Sequence, residues 1–150
     1  MSAGQQELQA LSEQLQEIQD AIESLEATVE GIRERQEEID EGISAIEGIE
    51  TGTTVQVPLG GGAYARAEIQ DVDELIVDLG ADYAAEFDRE GAIEALEDKS
   101  DRLDDRIEEV TEQISELESE SSQLEGRAQQ LQQQALQQQM GGMGGPAPDE

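Results

Sequence analysis

The sequence predicts a mainly α-helical fold with a small β component: two long helices folded back on each other as an antiparallel coiled coil and joined by two β-hairpins. Apolar residues recur at heptad spacing through the first third of the chain, and again through the last third. Between them, from Thr53 to Asp88, the apolar period shortens to two, the period of a strand. Glycines gather where the pattern changes, three of them in a row at Gly60, Gly61 and Gly62.

The first helix is carried by Leu8, Leu11, Leu15, Ile18, Ile22, Leu25, Val29, Ile32, Gln36, Ile39, Ile43 and Ile46, spaced by threes and fours without a slip. Gln36 is the one polar residue in that seam. Residues 8 to 46 would span roughly 58 Å at the α-helical rise. Gly48 and Gly52 lie where this helix is expected to end.

Four short strands are expected in the middle. TVQVPL runs into a turn at GGG and returns as AYARAEIQ. After a DVDE turn, LIVDLG pairs back through Ala81 and Asp82 to YAAEFD. Two such hairpins cannot bury both faces alone, because a small isolated sheet is marginal in water. Val55, Val57, Leu59, Ile69, Leu75, Val77, Leu79 and Phe87 therefore need a cover, and open strand edges invite another chain. These residues form the expected assembly surface. A floppy loop is the bland reading of the three glycines. A phosphate loop fits poorly, since no Lys–Ser/Thr pair and no helix follow them.

The second helix starts after Asp88, a suitable N-cap, with Glu90 in its first turn. Its seam runs through Ile93, Leu96, Ser100, Leu103, Ile107, Val110, Ile114, Leu117, Ser121, Leu124, Ala128, Leu131 and Ala135. With Ile46 facing Ile93, Leu25 faces Ile114 and Leu8 faces Leu131, and each polar break meets an apolar partner: Gln36 by Leu103, Ile39 by Ser100, Ile18 by Ser121. A parallel dimer of long helices is the competing arrangement, and the returning middle segment speaks against it. Residues 129–139 hold eight glutamines and no charge, before Met140, Met143 and a Pro-rich acidic tail. Leu8, Leu11, Leu15, Leu131, Leu136, Met140 and Met143 thus collect at the free ends of the helices, where methionine suits contact with irregular apolar surfaces. A frayed tail without a role is the equal alternative there. The expected organisation is one domain: residues 1–50 the first helix, 51–90 the hairpins, 91–140 the second helix and 141–150 a flexible tail.

Composition limits the function. Of 150 residues, 38 are acidic and 8 basic, leaving a net charge of −30. Nucleic acid is disfavoured as a partner because that affinity comes from basic groups on phosphates, and an anionic membrane surface is disfavoured likewise. Repulsion on this scale is tolerable where salt screens it, since the screening length falls from about 8 Å at physiological salt to about 3 Å at 1 M. The single lysine, Lys99, agrees with a salt-rich cytoplasm. There is no cysteine, no run of 18 apolar residues and no basic-then-apolar start, so neither disulfide, membrane span nor signal peptide is expected, and the expected compartment is the cytoplasm. With no histidine or cysteine and no EF-hand spacing, neither an enzyme, a cofactor nor a metal is expected.

VPLGGGAYARAEI and VDLGADYAAEFDREGAIEAL, set between two heptad helices, resemble the alpha-class subunits of archaeal prefoldin, in an acidic, haloarchaeal form. The resemblance covers about residues 8 to 135. It implies a chaperone that uses no ATP, a holdase, in a hexamer of two alpha and four beta subunits, the hairpins making a double-barrel platform. It further implies that the coiled-coil tips hold unfolded proteins, prevent their aggregation and deliver them to a group II chaperonin. Carried onto this chain, assembly belongs to the strand residues named above and client contact to Leu8, Leu11, Leu15, Leu131, Leu136, Met140 and Met143. The alternative is a structural coiled-coil scaffold or spacer without client binding.

Overall fold

The computed structural model describes the backbone of residues 3–143 and the side chains of residues 3–138. In chain order the elements are α1 (Ala3–Gly48), β1 (Thr54–Gly60), β2 (Ala63–Glu68), β3 (Leu75–Gly80), β4 (Tyr83–Phe87) and α2 (Arg89–Met143). The fold is thus two long helices with two small antiparallel hairpins. The chain forms two compact units, Met1–Val29 with Glu109–Glu150, and Glu30–Glu108.

The first unit is a stretch of paired helix. Leu11, Ile18, Ile22 and Val29 of α1 are buried with Val110 of α2, while Leu8, Leu15 and Leu131 are half-buried. Nearly all of this core comes from the heptad positions, because only that stripe of each helix meets the other. Ala135 is the first seam residue to stand exposed.

In the second unit the polar break at Gln36 has a specific partner. Its Nε2 donates to the Ser100 carbonyl oxygen at 3.2 Å and to Asp104 Oδ1 at 2.6 Å. Those acceptors flank Leu103, the residue the heptad register sets opposite Gln36. A half-buried amide satisfied in one alignment disfavours slipped ones. Near the end of α1, Gly42 lies close enough to Leu96 that an added Cβ would sit 3.8 Å from its Cδ1.

The helix ends follow local chemistry. Helix α1 stops at Gly48, one of the two glycines expected to end it. Asp88 caps α2: its Oδ1 accepts from the Gly91 amide at 2.7 Å and its carbonyl from the Ala92 amide at 2.8 Å. Gly91 is fitted closely to that cap, since a Cβ there would stand 2.8 Å from Asp88 Oδ1. Arg89 ties the junction together, with Nη2 donating to the Ile49 carbonyl at 2.6 Å.

The four strands make two separate two-stranded sheets, β1–β2 and β3–β4. Of the three glycines, Gly60 belongs to β1, so the loop proper is the pair Gly61–Gly62. Both have positive φ, at 60° and 84°, as a two-residue hairpin loop requires when its twist matches the strands. Ala81 and Asp82 do the same job in the second hairpin at φ 53° and 61°, in a region that costs an L-residue with a Cβ. The two hairpins share a register. Val57 pairs with Ala65 and Val77 with Ala85, and the ladder shifts between Pro58 and Gly60 in one and between Asp78 and Gly80 in the other. Leu59 and Leu79 are the extra residues at these bulges.

Candidate functional site

Two surfaces emerge from this framework, one in each unit. In the Glu30–Glu108 unit it is the hairpin pair. Of the residues expected to assemble, Val57 and Leu59 are exposed, the latter at 68%. Val55, Ile69, Leu75, Leu79 and Phe87 are half-buried, and Val77 is buried. The expected patch therefore divides: Val77 already belongs to the subunit's own core, while Val57 and Leu59 remain without cover.

Three further large apolar side chains stand out from the hairpins, Tyr64, Ile76 and Tyr83, with Ile76 76% exposed. The sequence reading missed them. Strand alternation carried a signal for Ile76, because its neighbours Leu75 and Val77 point to the opposite face. Composition carried one for the tyrosines. The chain has three aromatic residues, one Phe and two Tyr, and all fall in the hairpins. Aromatic side chains are enriched where protein surfaces meet.

In the first unit the surface is the place where the seam runs out. Ala3, Gly4, Leu8, Leu131, Ala135 and Leu136 contribute to a cleft of about 730 Å³ that also takes in Gln5, Glu7, Gln134 and Gln138. Leu136 is 57% exposed and Leu8 and Leu131 are half-buried. Glu7 is held from the other helix by Arg127, whose Nη2 donates to Oε1 at 3.1 Å. Of the residues expected to touch clients, Leu8, Leu131 and Leu136 thus come together. Leu11 is buried in the seam and Leu15 half-buried one heptad inward. The side chains of Met140 and Met143 lie outside the described residues.

The helix-end cleft combines apolar and amide side chains with Glu7, and the hairpin surface is mainly apolar and aromatic. Among the described residues no cluster of acidic side chains could hold a metal ion, and no helix is long and apolar enough to cross a membrane.

Residues 18–134 match the family described as prefoldin subunit. Prefoldin subunit alpha of Halorubrum lacusprofundi is 56% identical over 101 residues, 67% of this chain and 66% of that one. Its counterpart in Haloquadratum walsbyi is 55% identical over 97 residues, 65% of this chain and 63% of that one. The prefoldin subunit alpha of Methanosarcina acetivorans is 34% identical over 106 residues, 68% of this chain and 69% of that one. The chain spans about two thirds of the length of these curated relatives. A cryo-EM structure of filamentous PFD from Methanocaldococcus jannaschii matches 81% of this chain and 97% of its own, with a TM-score of 0.53 and 23% identity, a likeness of fold.

Proposed function

The chain belongs to the prefoldin family of chaperones, and from that premise we propose that it works as an alpha-class holdase subunit without ATP. Its hairpins join those of beta-class subunits in a hexamer of two alpha and four beta chains. The helix ends hold non-native polypeptides, keep them from aggregating and release them to a group II chaperonin in the cytoplasm. The observation that carries the client-binding part is the cleft where Leu8, Leu131 and Leu136 leave the seam, bordered by Gln5, Gln134 and Gln138 and by one carboxylate, Glu7, which Arg127 pairs. In a chain of net charge −30, residues 129–139 on the α2 side of that cleft carry no charge.

A holdase needs apolar surface that is accessible yet too narrow to aggregate with itself. A seam that loses its cover at one end supplies that, because each apolar side chain there keeps only part of its burial. Glutamine donors and acceptors match the unpaired backbone of an extended client without fixing its sequence.

The test is suppression of client aggregation in about 1 M salt, where surface repulsion is screened. The chain is co-assembled with a beta-class partner, and the assembly is compared with one whose alpha chain lacks the residues before Leu15 and after Gln130. Protection by the intact assembly and none by the trimmed one, at equal mass, is the expected result. If neither protects although both assemble, the chain is a scaffold. The same samples give a second expectation. Dilution to millimolar salt lowers helix content by circular dichroism, because carboxylates along both helices are then unscreened; helix content independent of salt would sink the halophilic reading.

A further inference from the structure

The chain has eight basic residues, and three of them meet in one groove of the Glu30–Glu108 unit. This groove, of about 570 Å³, draws on α1, α2 and the end of β3. Leu79, Leu96 and Leu103 give it an apolar lining, and Arg35, Lys99 and Arg102 make it basic. Two carboxylates, Glu38 and Asp78, also line it, so the cations are in excess in a chain whose net charge is −30. Asp78 is partly occupied by its own turn, its Oδ1 accepting from the Gly80 amide at 2.9 Å. Lys99 is occupied too, with Nζ donating to the Asp78 carbonyl at 2.7 Å. Arg35 and Arg102 are both exposed, and neither is drawn into an ion pair among the described residues.

We propose that this groove docks a short acidic segment of another protein chain, with an apolar side chain entering among Leu79, Leu96 and Leu103 and flanking carboxylates meeting Arg35 and Arg102. Charge complementarity and an apolar lining coincide in this groove. In a chain of net charge −30, cations outnumber carboxylates three to two in the lining of this groove, which makes it a less repulsive place for an acidic partner. The two guanidiniums offer planar forks that take a carboxylate through paired hydrogen bonds. Such contacts lie within the screening length of about 3 Å even at 1 M salt, and the leucine lining adds burial that salt does not weaken. A free inorganic anion would use the arginines and leave the leucines idle. This proposal stands apart from client capture at the helix ends.

The test is a fluorescence-anisotropy titration of the full chain in about 1 M KCl. The labelled peptide carries Glu-Leu-Asp at its centre, with Gln-Leu-Asn and Glu-Ser-Asp versions as controls. Saturable binding of the first, weakened about tenfold or more in each control, is expected. Arg35→Gln and Arg102→Gln each weaken binding by about tenfold, with helix content unchanged. Arg33→Gln removes the same charge from an exposed arginine that pairs with Glu30 at 3.5 Å outside the groove, and it leaves binding within about twofold. The proposal is overturned if the full chain shows no saturable binding, if Arg33→Gln weakens it as much as Arg102→Gln, or if the Gln-Leu-Asn peptide binds as well. Displacement by inorganic triphosphate as effective as by unlabelled peptide overturns it in favour of a simple anion site.

Discussion

The two hairpins are built alike and buried differently. Val57 and Val77 occupy the same register position, each followed two residues on by a bulged leucine and then a glycine of positive φ. Yet Val57 is 41% exposed and Val77 only 6%. The difference lies in what stands behind each strand. The second hairpin is held to α2 by Lys99 on the Asp78 carbonyl, and its Leu79 shares a groove with Leu96 and Leu103. The first is bonded to the chain through its base, where the Gly52 amide meets the Ile69 carbonyl and the Ile69 amide meets the Thr53 carbonyl, and its tip keeps Leu59 and Tyr64 in the open. Equal local chemistry gives equal local structure. Burial depends on having a neighbour, and within this chain the tip of the first hairpin has none at Leu59 and Tyr64.

The largest expected effect breaks that comparison at its centre. Val77→Asp places a carboxylate in the subunit's own core and costs about 3 kcal/mol or more, while Val57→Asp costs a single folded chain under about 0.5 kcal/mol. Chemical denaturation followed by circular dichroism checks both. Similar losses at the two positions would mean that the hairpins are covered alike.

A smaller effect probes the tether. Lys99→Met removes the hydrogen bond to the Asp78 carbonyl and loosens the second hairpin by about 1 kcal/mol. Amide exchange in β3 and β4 should quicken while β1 and β2 stay as they were. Quickening in all four strands would show that the hairpins are coupled and the comparison too sharp.

The smallest effects come from the loops, with opposite signs in the two hairpins. Gly61→Ala puts a Cβ at φ 60° and destabilises by about 1 kcal/mol; Ala81→Gly relieves φ 53° and stabilises by about 0.5 kcal/mol. Thermal melts of the two variants separate these signs, and a shared sign would refute the account of the turns.

Much of this architecture was legible in the sequence, for a reason that Gln36 illustrates. Heptad spacing acts on every turn of a helix, so the register it implies can be read residue by residue, and Gln36 duly reaches Ser100 and Asp104 around Leu103. Strand ends were legible from the change of period, and the turns from Gly60 to Gly62. Which apolar strand residues are spare was not legible. Val57 and Val77 look the same in a linear pattern, and only the packing of β3 on α2 tells them apart. Ile76 is legible only once the strand's faces are assigned, since it sits between two other apolar residues, Leu75 and Val77. At the helix ends, Leu11 looked as available as Leu8, although a single helical turn separates the buried seam from the open cleft. The groove at Arg35, Lys99 and Arg102 joins residues more than sixty positions apart, beyond any local pattern.

The exposed tip of the first hairpin, with Leu59 and Tyr64, is the proposed joining surface. Sedimentation velocity on the Leu59→Asp, Tyr64→Ser double variant, mixed with a beta-class partner in about 1 M salt, addresses that directly. The account predicts a variant as helical as the parent chain that no longer enters the assembly. A variant that sediments with its partner as the parent does would contradict it and move the joining surface elsewhere on the molecule.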